Sequence, residues 1–223
     1  MKIAVLGGTF NPLHIGHCFL AEAAVKELGY DKVLFVPTYI PPHKEINNFL
    51  SPEHRLEMLN CFCTDSIIDG KSFFQVEDCE IRRKGVSYTF DTLKYIERTY
   101  KFDKKLGLLM GQESACQFDK WYNSEKIAEM VDFVIATRKM DGDNKENKQF
   151  ENVSKGNYVN QNSCLNFEKK FRYKHIKLEN PELHVSSTEI RSRIASGKAW
   201  RYLVPDSVFQ YISLRLLGKN NDR

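Results

Sequence analysis

The sequence predicts an α/β fold: a doubly wound parallel sheet with helices on both faces and a small C-terminal helical part. Two observations predict it. Apolar runs of strand length recur at Lys2–Leu6, Lys32–Val36, Leu106–Met110, Asp132–Ala136 and His175–Leu178, separated by segments of helical period. The runs are continuous rather than alternating, as expected of strands buried on both faces of a parallel sheet.

In chain order, Lys2–Leu6 reads as a buried strand, and Gly7-Gly8 as the turn after it. A helix from about Ile15 to Leu28 follows, with Phe19, Ala23 and Leu28 on an apolar stripe and Glu22, Lys26 and Glu27 outward. Lys32–Val36 completes a strand–helix–strand unit, which implies parallel pairing through a right-handed crossover. Ser51-Pro52-Glu53 starts another helix, with Ser as cap and Pro at the first helical position; it carries Leu56, Met58 and Leu59. Phe73–Ile81 alternates enough for a strand, and Thr89 caps a helix bearing Phe90, Leu93 and Ile96. Between Met140 and about Lys174 the chain is rich in Asn, Lys, Asp and Glu without a period, and reads as a partly disordered surface insertion. His175–Leu178 is the last strand, and helices follow at Ser187–Ala195 and Pro205–Leu217. Residues 1–223 thus form one domain, with the insertion at about 140–174 and the C-terminal helices within about 187–217.

Composition narrows the function classes. With 42% apolar and 28% charged residues, the chain has the profile of a water-soluble globular protein. No apolar run approaches a membrane span, and the N-terminal one is too short for a signal peptide, so the expectation is a cytoplasmic protein without membrane association. The six cysteines (Cys18, Cys61, Cys63, Cys79, Cys116 and Cys164) form no CxxC pair and read as reduced thiols. A net charge of +4 suits anionic small molecules but is too modest for a nucleic-acid footprint.

The chemistry concentrates in GGTFNPLHIGH, Gly7 to His17. Two glycines after a strand let the backbone approach a bulky anion, although a plain tight turn reads the same way. His14 and His17 then flank Gly16 at a helix start, where free N–H groups and the positive dipole end favour phosphate. Two ordinary histidines or a metal site are the alternatives. The three-residue spacing argues against metal, and the preceding glycines argue against mere coincidence. Ser186-Ser187-Thr188-Glu189-Ile190-Arg191 offers a second anion site: a capping box opens a helix, with hydroxyls at Ser187 and Thr188 and a guanidinium at Arg191. Taken alone, it is equally an ordinary capped helix with a surface arginine.

GGTFNPLHIGH and VSSTEIR resemble the two signature segments of the nucleotidyltransferase superfamily that carries the HxGH element, whose fold is a Rossmann-like sheet. VPTYIPPHKE (36–45), GVSYTFDTL (85–93), MGQESACQFDKWY (110–122) and LVPDSVFQYI (203–212) follow in the order found in bacterial nicotinate-mononucleotide adenylyltransferases. The resemblance covers all but about residues 140–174. It implies transfer of AMP from ATP to nicotinate mononucleotide, giving nicotinate adenine dinucleotide and pyrophosphate in NAD biosynthesis, with Mg²⁺ carried by ATP and no metal held by the protein.

The resemblance also implies residue roles. Gly7, Gly8, Thr9 and Phe10 line the ATP site with Gly111 and Glu113; His14 and His17 contact its phosphates, and Ser187, Thr188 and Arg191 hold the β- and γ-phosphates. His14, His17 and Arg191 are the catalytic set. Lys44, Ser87, Tyr88, Thr89, Trp121 and Arg138 are assigned to the acceptor: Lys44 to its phosphate, Ser87-Tyr88-Thr89 to the nicotinate carboxylate and Trp121 to its ring. Three positions depart from the family pattern: Asn11 for Asp, Glu113 for Asp, and Thr137-Arg138-Lys139 for RRP. The alternatives are a nicotinamide-mononucleotide adenylyltransferase and a catalytically silent nucleotide sensor. The sequence leaves homo-oligomerisation open.

Overall fold

In the computed structural model, which describes residues 1–42, 50–138, 167–180 and 183–218, six strands form one all-parallel sheet. The first strand, β1 (Ile3–Gly8), leads to helix α1 (Ile15–Leu28) and β2 (Lys32–Pro37). Then come α2 (Pro52–Asp65), β3 (Phe74–Val76), α3 (Cys79–Arg83) and α4 (Thr89–Thr99). The second half runs β4 (Leu106–Gly111), α5 (Gln112–Ala115), α6 (Ser124–Met130), β5 (Val131–Arg138), α7 (Phe167–Lys170), β6 (His175–Asn180), α8 (Ser187–Ala195) and α9 (Asp206–Tyr211).

Strand order is β3-β2-β1-β4-β5-β6, so the winding reverses between β1 and β4. A crevice opens at such a switch point, outside the carboxyl ends of the strands. Successive residues of β1 enter opposite cores: Ala4 and Leu6 join one apolar cluster with α1 and α2, Ile3 and Val5 the other with α4 and α6. This two-sided burial is why the strands read as unbroken apolar runs. Gly107 in β4 keeps one close contact open, since a Cβ there would lie 2.2 Å from the Tyr30 hydroxyl.

Several boundaries differ from the sequence reading. Helix α1 buries Leu20, Ala21, Ala23, Ala24 and Val25, a wider face than the stripe expected, with Phe19 and Leu28 at its edges. The expected strand Phe73–Ile81 stops at Val76: the Glu77 carboxylate accepts the Cys79 N–H (2.9 Å) and turns the chain into α3. Tyr88, not Thr89, is the cap of α4, because its carbonyl already accepts the Thr92 N–H (3.2 Å). Residues 139–166, most of the expected insertion, lie outside the described residues. Its expected C-terminal part is ordered differently: Phe167 and Phe171, one helical turn apart, are buried against the Phe133 and His175 rings. The last expected helix divides into α9 and a wider π-type turn at Ile212–Leu217. Ser51 caps α2 as expected, accepting the His54 N–H at 3.3 Å.

Candidate active site

The crevice at the end of β1 gathers both segments expected to bind anions. Gly7 and Gly8 close the strand, and the chain turns through Phe10, whose φ of 46° is a left-handed conformation unusual for a bulky side chain. Complete burial of the Phe10 ring holds it there. Gly8 lies beneath that ring, where a Cβ would stand 3.3 Å from Phe10 Cζ, a tight contact.

Helix α1 begins immediately after, with His14 as its extended cap and His17 three residues in. The imidazoles face each other at a tilt of 32° with centroids 3.7 Å apart, and Phe10 meets His17 edge-on at 5.0 Å. Gly16 allows this approach: a Cβ there would lie 3.2 Å from both the His14 ring and Val185 Cγ1. The His14 N–H donates to His17 Nδ1 (3.3 Å), so the neutral His17 ring carries its proton on Nε2 and presents a donor on that side. Burial pushes the His14 imidazole down to about 4 from 6.5, leaving it neutral at pH 7. Its buried Nδ1 has no hydrogen-bond partner among the described residues.

The second segment docks onto the first. Ser186 caps α8 by accepting the Glu189 N–H (3.1 Å). The expected return bond of a capping box is replaced, since the Glu189 carboxylate accepts from Arg193 Nε (2.9 Å). Ser187 Oγ donates to the Pro12 carbonyl (2.9 Å), while Arg191 donates to the Asn11 carbonyl (2.7 Å) and to Thr188 Oγ1 (3.3 Å). Burial lowers the Arg191 pKa from its ordinary value, although a guanidinium remains charged. Asn11 is itself buried and uses Oδ1 to accept the Leu50 N–H (3.0 Å), an acceptor role that either Asn or Asp fills.

Acceptor-side residues are brought alongside in part. Ser87 is buried: its Oγ accepts the Tyr39 N–H (3.0 Å) and its own N–H donates to the Ile40 carbonyl (2.9 Å). Its side chain therefore fastens the chain after β2, while Tyr88 and Thr89 are part-exposed at the start of α4. The Tyr88 and Tyr122 rings meet at 4.9 Å, which places the Trp121-Tyr122 segment beside that helix start. Trp121 is half-buried against Phe118, with centroids 5.4 Å apart. Gly111 ends β4 and Glu113 lies exposed in the first turn of α5, on the strand next to β1. Arg138 ends β5 opposite Asn180; its side chain and all of Lys44 lie outside the described residues.

Arg55 escaped the sequence reading. It is 2% exposed, and its guanidinium donates to the carbonyls of Leu50 (3.1 Å), Thr9 (2.9 Å), Thr38 (2.6 Å) and Tyr39 (3.4 Å). Its helical spacing from Met58, Leu59 and Phe62 was the available signal, because a charged side chain on the buried face of a helix needs partners.

Comparison with known proteins bears on this geometry. The cytidylyltransferase-like family model matches residues 5–193. A relative from Treponema pallidum named "Probable nicotinate-nucleotide adenylyltransferase" is 36% identical over 99% of this chain and all of its own. One from Borreliella afzelii with the same name is 37% identical over 95% of this chain and 94% of its own. The chain belongs to the cytidylyltransferase-like family, among its nicotinate-nucleotide adenylyltransferases. Among solved structures, the Plasmodium falciparum nicotinic acid mononucleotide adenylyltransferase complexed with NaAD superposes with a TM-score of 0.69 at 20% identity, covering 99% of both chains. The same enzyme complexed with APC gives 0.64 at 18% identity, over 99% of this chain and 96% of that one. At those identities the likeness establishes the fold, the Rossmann-like α/β sheet of this family.

Proposed function

We propose that the chain transfers the adenylyl group of Mg–ATP to the 5′-phosphate of nicotinate mononucleotide. An acceptor phosphate oxygen attacks the α-phosphorus, the bond from that phosphorus to the oxygen bridging the β-phosphate breaks, and pyrophosphate leaves. The observation that carries the proposal is the convergence of Gly7–Phe10, the His14–His17 pair and the start of α8 on the end of β1. A phosphate monoester is already largely dianionic at neutral pH, so the nucleophile needs no general base. What remains is positioning and stabilisation of charge on the transferring and leaving groups.

In this reading the backbone from Gly7 to Phe10 passes along the nucleotide, with Gly111 at the end of β4 and Glu113 in α5 bordering it. His17 donates from Nε2 to the phosphates, and the neutral His14 ring packs against it. Thr188 and Arg191 hold the outer phosphates. Ser187 acts by tethering α8 to Pro12. Mg²⁺ arrives on ATP; among the described residues no group of three or more His, Cys, Asp or Glu is placed to hold it. On the acceptor side, Tyr88 and Thr89 receive the nicotinate carboxylate at the start of α4 and Trp121 lies along the ring, while Ser87 fixes that helix start to Tyr39. Lys44 is assigned to the acceptor phosphate, and Arg138 to the acceptor. We assign the chain to the cytoplasm with the bacterial biosynthetic enzymes it resembles. No described helix is long and apolar enough to cross a membrane.

The test is ATP-dependent pyrophosphate release with nicotinate and nicotinamide mononucleotides in parallel. Faster turnover of the acid is expected. Preference for the amide would replace the acceptor, and ATP binding without release from either would indicate a nucleotide sensor.

A further inference from the structure

We infer that Arg55 is a positioning residue that sets the spacing between the ATP-side and acceptor-side loops through its four backbone carbonyl contacts. This rests on the reaction proposed above for its kinetic consequence, but not for its structural one.

Arg55 sits on the buried face of α2, and among the described residues its guanidinium is hydrogen-bonded to carbonyls only. Burying a cation without a directly bonded carboxylate is costly, and an apolar residue of similar size would fill the space more cheaply. The partners explain its presence. Thr9 lies in the turn after β1, where the nucleotide phosphates are proposed to sit. Thr38 and Tyr39 follow β2, and Leu50 precedes α2, so these carbonyls bracket the Pro41-Pro42 turn on the acceptor side. One nitrogen, Nη1, reaches both Thr9 and Thr38, joining the two loops through a single atom.

The surrounding bonds lead outward from the same point. Thr38 N–H donates to the Gly8 carbonyl (2.9 Å), and Leu50 N–H donates to Asn11 Oδ1 (3.0 Å). Tyr39 N–H donates to Ser87 Oγ, carrying the connection to the start of α4. The reaction joins a phosphate held on one loop to a phosphorus held on the other, and its rate depends on their separation. A planar guanidinium with donors in a rigid fork fixes that separation, which a flexible ammonium with one nitrogen cannot do.

The test compares Arg55→Lys and Arg55→Ala with the native chain, the latter with and without added methylguanidinium. Backbone hydrogen exchange is read at Gly8–Phe10 and Thr38–Ile40, with the amides of β4 and β5 reporting the fold. We expect exchange in both loops to rise together in Arg55→Lys while the β4 and β5 amides stay protected. At saturating substrates kcat should fall about 100-fold, with the affinity for each substrate alone changing less than about threefold, because misplacement by an ångström acts on the encounter of bound groups. Methylguanidinium should restore part of kcat to Arg55→Ala. The inference is overturned if Arg55→Lys keeps native exchange in either loop, or if kcat and both affinities fall only with the folded fraction. It is likewise overturned if neither variant folds, even with methylguanidinium, since Arg55 would then serve folding alone. Should the native chain release no pyrophosphate, the proposed reaction fails, and the exchange measurement still decides the role of Arg55.

Discussion

At the scale of single residues, the two histidines of the HxGH element differ in protonation and hydrogen bonding because their surroundings differ. His17 accepts the His14 N–H on Nδ1, which leaves Nε2–H as a donor. His17→Ala should lower kcat roughly 100- to 1000-fold, the usual consequence of losing one donor to developing charge, with little change in thermal midpoint. A variant retaining native turnover in the pyrophosphate assay would remove His17 from the mechanism. For His14, burial holds the folded-state value at about 4 against 6.5 for the free side chain. Between those values the unfolded chain binds a proton that the folded chain refuses. His14 therefore supports folding above pH 6.5 and loses that contribution as the pH falls toward 4. The urea midpoint should consequently drop more between pH 7 and pH 5 in the native chain than in His14→Gln. Equal drops would count against the burial argument. These residues were legible because a GG turn and two histidines at a helix start form a local pattern. Arg55 was not, because its partners are backbone carbonyls from 5 to 46 residues away, which no side-chain motif records.

At the scale of elements, α8 matters through how its first turn meets the turn after β1. Ser187 donates to Pro12 and Arg191 to Asn11, so this helix start props the loop that precedes α1. Ser187→Ala leaves the Pro12 carbonyl without this donor, at a cost of about 1 kcal/mol. Calorimetry should show a small loss of thermal stability, and steady-state kinetics a raised KM for ATP. Unchanged KM would mean that α8 is held independently of this bond. Helix positions such as Ile15–Leu28 and Ser187–Ala195 were readable from period and caps, since both signals are local. The end of β3 was not, because whether Glu77 extends the ladder or turns the chain depends on its carboxylate reaching Cys79 N–H. The aromatic end of the polar stretch was missed for a related reason: Phe167 and Phe171 gain their value from Phe118 and Phe133 on other elements.

At the scale of the whole molecule, the strand order β3-β2-β1-β4-β5-β6 sets β1 between two oppositely wound halves. One half supplies the acceptor-side turn after β2 and the other supplies Gly111 and Glu113 after β4, both beside the end of β1. The sequence by itself determined the fold class, the glycine turn with its two histidines and the family, because apolar runs, helix caps and the GGTFNPLHIGH pattern are written in neighbouring residues. Only the tertiary structure decided how the pieces are held together: the Arg55 hub, the tethering of α8 to Asn11 and Pro12, and the commitment of Ser87 to Tyr39. The physical reason is that each of these is a hydrogen bond to a backbone group brought near by the packing of separate elements. Every residue carries such groups, so the sequence does not mark which will be used.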